Sequence, residues 1–169
     1  MKKGFVLATF SAIALGLGQQ AFAQDVLPEV ILQATRYKYL NAVDHKDIAQ
    51  PVKMLERRAA EYNIKTSDYY EEDFDTYFIS FFIPEGQILA AYDKDGNLLS
   101  TVERFKNVYL PEQVRLSISN RFPNWKFSND FYRVDYKGKD NSAKKIYKVT
   151  LENGDKRMKV SIDDKGEFL

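Results

Sequence analysis

Cysteine is absent from all 169 residues. That absence excludes disulfides, thiolate-bound metals and a cysteine nucleophile together. It also excludes the lipid-bearing cysteine of a bacterial lipoprotein. Histidine occurs once, as His45 in Asp44-His45-Lys46-Asp47. A histidine beside carboxylates can serve as a general base or a metal ligand. A metal site needs further ligands at matching spacing, and none is found. H-E-x-x-H, G-x-S-x-G and Gly-rich phosphate loops are missing, and a lone histidine cannot supply the H-x-G-H of a nucleotidyl transferase. His45 is therefore read as a polar surface residue, and the chain as non-catalytic, with no cofactor and no metal.

Long apolar runs are also missing after the N-terminus. Lys2 and Lys3 precede an uncharged stretch, Gly4 to Gly18, that ends at Ala21-Phe22-Ala23. A basic start, a short apolar stretch and an A-x-A site form the signal-peptide pattern. The run is too short for a spanning helix, which needs about 20 apolar residues. The expectation is cleavage after residue 23 and a soluble periplasmic or secreted chain beginning at Gln24. Cleavage removes two of the 25 basic residues and none of the 24 acidic ones, leaving a formal charge of −1. A nucleic-acid binder normally shows a basic excess, so nucleic acid is excluded as a partner.

What is present is a repeat. Thr76 to Leu99 aligns without a gap on Ile146 to Leu169 at an offset of 70 residues. Tyr77, Ile79 and Phe81 fall on Tyr147, Val149 and Leu151. Ile88, Ala90 and Tyr92 fall on Met158, Val160 and Ile162. Asp93 and Gly96 fall on Asp163 and Gly166. Further upstream, Asn63-Ile64-Lys65 aligns with Asn124-Trp125-Lys126 at an offset of 61, and the difference matches Lys137 to Lys145, read as a loop added to the second copy.

Each copy opens with a helix. Pro51 suits a first helical position, and Val52, Leu55, Ala59 and Tyr62 form an apolar stripe, with Lys53, Glu56, Arg57 and Glu61 facing away. Pro111 opens the second helix, Val114, Ile118 and Phe122 make its stripe, and Pro123 stops it. Ile146–Leu151 and Lys156–Ile162 alternate with a period of two, which predicts a sheet with one wet face. Asp95-Gly96 and Asn153-Gly154 signal tight hairpins. The fold class is α+β: two tandem helix–strand–strand–strand repeats, residues 51–106 and 107–169, forming an antiparallel sheet covered on one face by helices. Residues 24–50 are an N-terminal extension in which Val30 to Leu40 is read as an extra strand.

The repeated unit, the D-x-x-G turn of each copy (Asp93-Lys94-Asp95-Gly96 and Asp163-Asp164-Lys165-Gly166) and the signal pattern together resemble the PepSY-like proteins, also labelled beta-lactamase-inhibitor-like. The resemblance runs from Pro51 to Leu169 and implies a periplasmic module that binds or inhibits another protein. It supplies no catalytic residues to carry over, and similarity of fold is a weak guide to function.

Thr76–Ile83 is apolar on both faces and is read as a central strand covered on both sides. The alternative places Phe78 and Phe82 on an exposed aromatic face. Tyr69, Tyr70, Glu71 and Glu72 precede this strand in a cluster that also holds Asp73, Phe74 and Asp75. It reads first as a solvated loop; as a contact patch, its aromatics would supply area and its carboxylates would attract a basic partner. Tyr69, Tyr70, Glu71, Glu72, Phe78 and Phe82 are thus the candidate contacts for an unidentified envelope protein. Asp93-x-Asp95-Gly96-Asn97 resembles the start of a calcium loop, but Arg104 stands where an EF-hand needs a bidentate glutamate, so a plain turn is expected. The competing function is a periplasmic sensor of a small ligand or cation.

Overall fold

The computed structural model describes residues 28–44 and 47–169, with side chains from residue 34 onward. The signal-peptide reading and His45 lie outside the described residues. Three helices, α1 (Pro28–Val43), α2 (Gln50–Glu61) and α3 (Glu112–Arg121), accompany six strands. The strands are β1 (Thr76–Ile83), β2 (Gly86–Asp93), β3 (Leu98–Lys106), β4 (Lys126–Lys137), β5 (Ser142–Asn153) and β6 (Lys156–Asp163). They form one antiparallel sheet in chain order, β1 to β6. The two halves, α2 with β1–β3 and α3 with β4–β6, are joined where β3 pairs with β4.

The period-two pattern sets which face is dry. Tyr77, Phe81, Ile88, Ala90, Tyr92, Phe105, Tyr132, Val134, Tyr136, Tyr147, Val149, Leu151 and Ile162 all turn inward and are buried. Val52, Leu55 and Ala59 of α2, Val114 and Ile118 of α3, and Tyr39 and Val43 of α1 join them in a single core. Each such side chain contributes about 1.5–3 kcal/mol on burial. Tyr132 and Tyr147 stack at 4.5 Å across β4 and β5. The Tyr92 hydroxyl donates to the Ala59 carbonyl at 2.7 Å, tying α2 to β2.

The two D-x-x-G segments make the same turn. The Asp93 carboxylate accepts from the backbone N–H groups of Asp95 and Asn97 at 2.9 and 2.8 Å, and Asp163 accepts from those of Lys165 and Glu167 at 3.0 and 2.8 Å. Gly96 and Gly166 sit at φ of 86° and 83°, the left-handed region open to glycine.

Four expectations are corrected. Val30–Leu40 is helical, within α1, because Tyr39 and Val43 lie four residues apart on one buried stripe and their burial outweighs the strand preference of the β-branched and aromatic residues around them. Lys137–Lys145 is mostly strand, since only Gly138–Asn141 turn and Ser142–Lys145 extend β5, with the Lys145 side chain buried. Glu56 does not face away: it is 2% exposed. Among the described residues Thr76–Ile83 is an edge strand paired with β2 alone, and its second face exposes Phe78 and Phe82.

Candidate functional site

The helices cover one face of the sheet and leave the other open. On that open face β1 presents Phe78 and Phe82, which are 68% and 64% exposed. They lie four residues apart on one strand and so point the same way, about 13 Å apart. Register carries the patch inward. Phe78 is opposite Ala91, Ser80 is opposite Leu89, and Leu89 is opposite Val102. Leu89 and, on β4, Phe131 are exposed as well. Beyond them the face becomes basic: Arg104 pairs with Arg133, Phe131 with Lys148, and Thr150 with Lys159. Arg133 is partly neutralised by a two-pronged bond to Asp135, both contacts at 2.8 Å.

A hollow of about 430 Å³ at the C-terminal end of β1 is lined by Phe82, Arg104, Lys106 and Phe131. At the other end, a groove of about 620 Å³ runs along β1 between Tyr69, Phe74 and Phe78. The structure thus brings Tyr69 and Phe78 together and sets Phe82 apart, beside the arginines. Glu71 and Glu72 are exposed in the turn leading to β1. Tyr70 is half-buried and stacks on Tyr77 at 5.7 Å, while the Tyr77 hydroxyl donates to the Glu71 carbonyl. Tyr70 therefore serves the packing under the loop more than its surface. Leu89, Phe131, Arg104 and Arg133 were missed by sequence reasoning, because each is ordinary alone and only cross-strand register assembles them.

A second polar cluster lies inside the core. Glu103 Oε1 accepts from the Tyr39 hydroxyl at 2.8 Å and from the Thr101 hydroxyl at 2.7 Å. Glu103 Oε2 and Glu56 Oε1 are buried with no donor among the described residues. Burial pushes both carboxyls above the usual carboxylate range, Glu56 further than Glu103; the Glu103 charge raises Glu56 further, while hydrogen bonds from Thr101, Tyr39 and Glu56 hold Glu103 lower. Nearby, Lys145 Nζ donates to the Asp44 carbonyl at 3.2 Å and faces Asp164 at 3.9 Å, and burial lowers its pKa. The arrangement calls for one proton held between the two glutamates. It lies where α1 and α2 pack on β3, with the Tyr39 hydroxyl of α1 bonded to Glu103 of β3. Among the described residues there is no group of three or more His, Asp or Glu that could hold a metal ion, and no helix long and apolar enough to cross a membrane.

The family model described as "Putative beta-lactamase-inhibitor-like, PepSY-like" matches residues 18–83 and 86–169, nearly the whole chain. The chain belongs to the PepSY-like family. The fold expected from the resemblance, α+β with an antiparallel sheet, is the fold observed. No curated protein matches. A crystal structure of a BLIP-like protein from Bacteroides fragilis NCTC 9343 aligns at 20% identity over 59% of this chain and 68% of that one. Its TM-score is 0.32, a superposition too loose to place any side chain here.

Within this PepSY-like chain the two copies supply their own comparison. The offset of 70 puts Phe78, Phe82, Leu89 and Ala91 on Lys148, Glu152, Lys159 and Ser161. The inward positions stay apolar in both copies, while these four open-face positions change from apolar to polar. The same strand pair therefore folds with a polar open face in copy two, and the aromatics of copy one are not needed to build it.

Proposed function

We propose that this chain is an exported binding module that acts by protein–protein contact through the open face of β1 and β2. The observation that carries this reading is the exposure of Phe78, Phe82 and Leu89 at positions where the second copy holds Lys148, Glu152 and Lys159. Isolated surface aromatics are ordinary, but a contiguous apolar patch on a sheet face points to an interaction, and aromatics anchor interfaces when they are desolvated. The partner that fits has an apolar patch bordered by acidic groups, to meet Lys144, Lys148 and Lys159 on β5 and β6. The family's inhibitor label supports a protein as the partner class. The signal pattern at residues 1–23 supports the envelope as the compartment.

The test uses a tagged chain recovered in soluble form and mixed with envelope extract at low and physiological salt. A parallel variant carries the second copy's residues, Phe78→Lys, Phe82→Glu and Leu89→Lys. The variant is expected to melt within a few degrees of the parent and to lose a partner that the parent retains at physiological salt. A partner held equally by both proteins, or no saturable partner for the parent, refutes the reading.

A further inference from the structure

The two edges of the sheet are treated differently. β6 carries Lys156, Arg157 and Lys159, and its end is covered by the returning C-terminus, where Phe168 bridges to Ile162 and the Leu169 N–H donates to the Ser161 carbonyl at 2.9 Å. Charges and covering segments are the usual means of blocking an edge. β1 has neither. Thr76-Tyr-Phe-Ile-Ser-Phe-Phe-Ile83 contains no charge and no proline, and its pairing with β2 runs without a bulge. Alternate residues of an edge strand turn their backbone N–H and C=O groups outward, ready to pair.

The repeat explains this bare edge. In copy two, β5 is flanked by β6 on one side and β4 on the other. β1 corresponds to β5, and β2 to β6. At the offset of 61, the residues corresponding to β4 begin at Lys65. There the chain forms a short 3₁₀ turn, Ile64–Thr66, and then the turns that lead to Asp75, with no strand. Copy one therefore lacks the antiparallel strand that its own fold places beside this position.

We propose that a second copy of the chain fills it, β1 pairing antiparallel with β1 of the other copy about a two-fold axis at Ser80. Three observations favour this occupant. A continuous sheet requires residues of the same face to lie opposite one another. With Ser80 opposite Ser80, Phe78 of each copy lies opposite Phe82 of the other on the open face, and Ile79 lies opposite Phe81 on the helix side. Aromatic pairs of this kind stabilise strand pairing. The arrangement repeats what β4 does for β5, where the open-face aromatic Phe131 lies opposite Lys148, the counterpart of Phe78. The ends of β1 are also complementary in charge. Glu71, Glu72 and Asp73 precede the strand, and Arg104 and Lys106 rim the hollow at its far end. None of these five side chains forms an ion pair among the described residues. Antiparallel pairing brings the acidic turn of each copy to the basic hollow of the other. Asp75, which comes opposite Glu85, is paired with Lys94 at 3.7 Å. The interface is isologous and closes on itself. It joins the two helix-covered faces into one layer and the two open faces into one surface, so Phe78 and Phe82 remain exposed on it.

Sedimentation equilibrium of the chain from micromolar to millimolar concentration tests this. The native chain is expected to dimerise. Ser80→Lys and Ser80→Glu, each an exposed substitution on the axis, are each expected to be monomeric, because like charges then face each other, and to melt as the native chain does at concentrations where it too is monomeric. An equimolar mixture of the two variants is expected to regain the dimer. A native chain that stays monomeric overturns the proposal, as does a Ser80→Lys variant that dimerises like the parent. A monomer that instead takes up a synthetic peptide of the β1 sequence assigns the edge to another chain and equally overturns the dimer. Sedimentation is read on the chain alone, with no extract present, so the dimer and the capture of an envelope partner fail separately.

Discussion

Replacing Glu56 with glutamine should make the protein more stable at neutral pH while leaving its stability in mild acid nearly unchanged. Glu56 and Glu103 are buried together, with one oxygen of each lacking a donor. One retained proton satisfies both, and burial, the largest cause, raises both carboxyls. In the unfolded chain these groups titrate near the ordinary value of 4.5. Above that pH the folded state holds a proton that the unfolded state has released. The stabilisation is therefore complete below about pH 4.5 and is lost as pH rises toward the folded value, at about 1.4 kcal/mol per pH unit for one proton. From pH 5.5 to 7.5 the loss is about 3 kcal/mol, a large share of a domain stability of roughly 5–15 kcal/mol. Glutamine places an amide donor where the shared proton stood and does not titrate. Urea denaturation across this range should show Glu56→Gln within about 1 kcal/mol of the parent at pH 5.5 and about 2–3 kcal/mol more stable at pH 7.5. Glu103, raised to about 7, and Asp130, raised by burial to about 6, each add a slope of the same sign to both proteins, so the comparison reads the Glu56 proton. Lys145, whose pKa is lowered by burial, acts in the opposite sense as pH rises toward the alkaline range and is itself influenced by Glu56, so the comparison is confined to pH 5.5–7.5. Parallel pH profiles for the two proteins, or a variant less stable at pH 7.5, would refute the shared proton.

Two further substitutions test the framework that positions the open face. A Cβ at Gly86 would lie 2.1 Å from the Arg104 carbonyl oxygen and 2.7 Å from the Phe105 ring, so Gly86→Ala is expected to cost about 3 kcal/mol or more by overpacking, whereas Gly154→Ala, open on all sides at φ of 58°, should cost only about 1–2 kcal/mol. Thermal melts of the two variants decide this. Asp93→Ala and Asp163→Ala each remove a carboxylate that accepts from two backbone N–H groups, and Asp93 accepts also from Asn97 Nδ2 at 2.9 Å; each should destabilise by about 1–3 kcal/mol, Asp93→Ala by the larger amount, and a urea profile in which Asp163→Ala costs clearly more would deny this account.

The sheet was legible because its signal is internal. Tyr77, Ile79 and Phe81 repeat as Tyr147, Val149 and Leu151, and a period of two repeated at a fixed offset admits few folds. The glycine turns were legible for a similar local reason, since Gly96 and Gly166 must take positive φ. Glu56 was not legible. On a helix it sits next to Leu55, and its partners Glu103 and Tyr39 are distant in sequence, so only the packed structure shows that α1 makes a polar interior position tolerable. Tyr39 belongs to the segment read as a strand, and that error concealed the partner. The open face failed for another reason. Phe78 and Phe82 look like core in a strand that is apolar on both sides, and edge position depends on whether a neighbour exists. The missing neighbour is itself visible in the repeat, as the Ser67–Asp75 turns, which align in sequence with β4 of copy two and form no strand.

Differences between the copies separate what folding needs from what it does not. Positions that stay apolar in both, such as Tyr92 and Ile162, close the core, and their loss costs stability. The open-face exchange of Phe78 for Lys148 and Leu89 for Lys159 has no such explanation, because both versions form paired strands on the same scaffold. Exposed apolar area costs solubility and invites association, so its presence on β1 and β2, at positions where copy two is polar, needs a compensating use. The missing strand beside β1 falls in the same copy, next to the same residues. A patch retained only for packing would have no reason to coincide with an unpaired edge. A surface that meets other chains would combine the two, since apolar side chains and free backbone groups together give both area and direction to the contact.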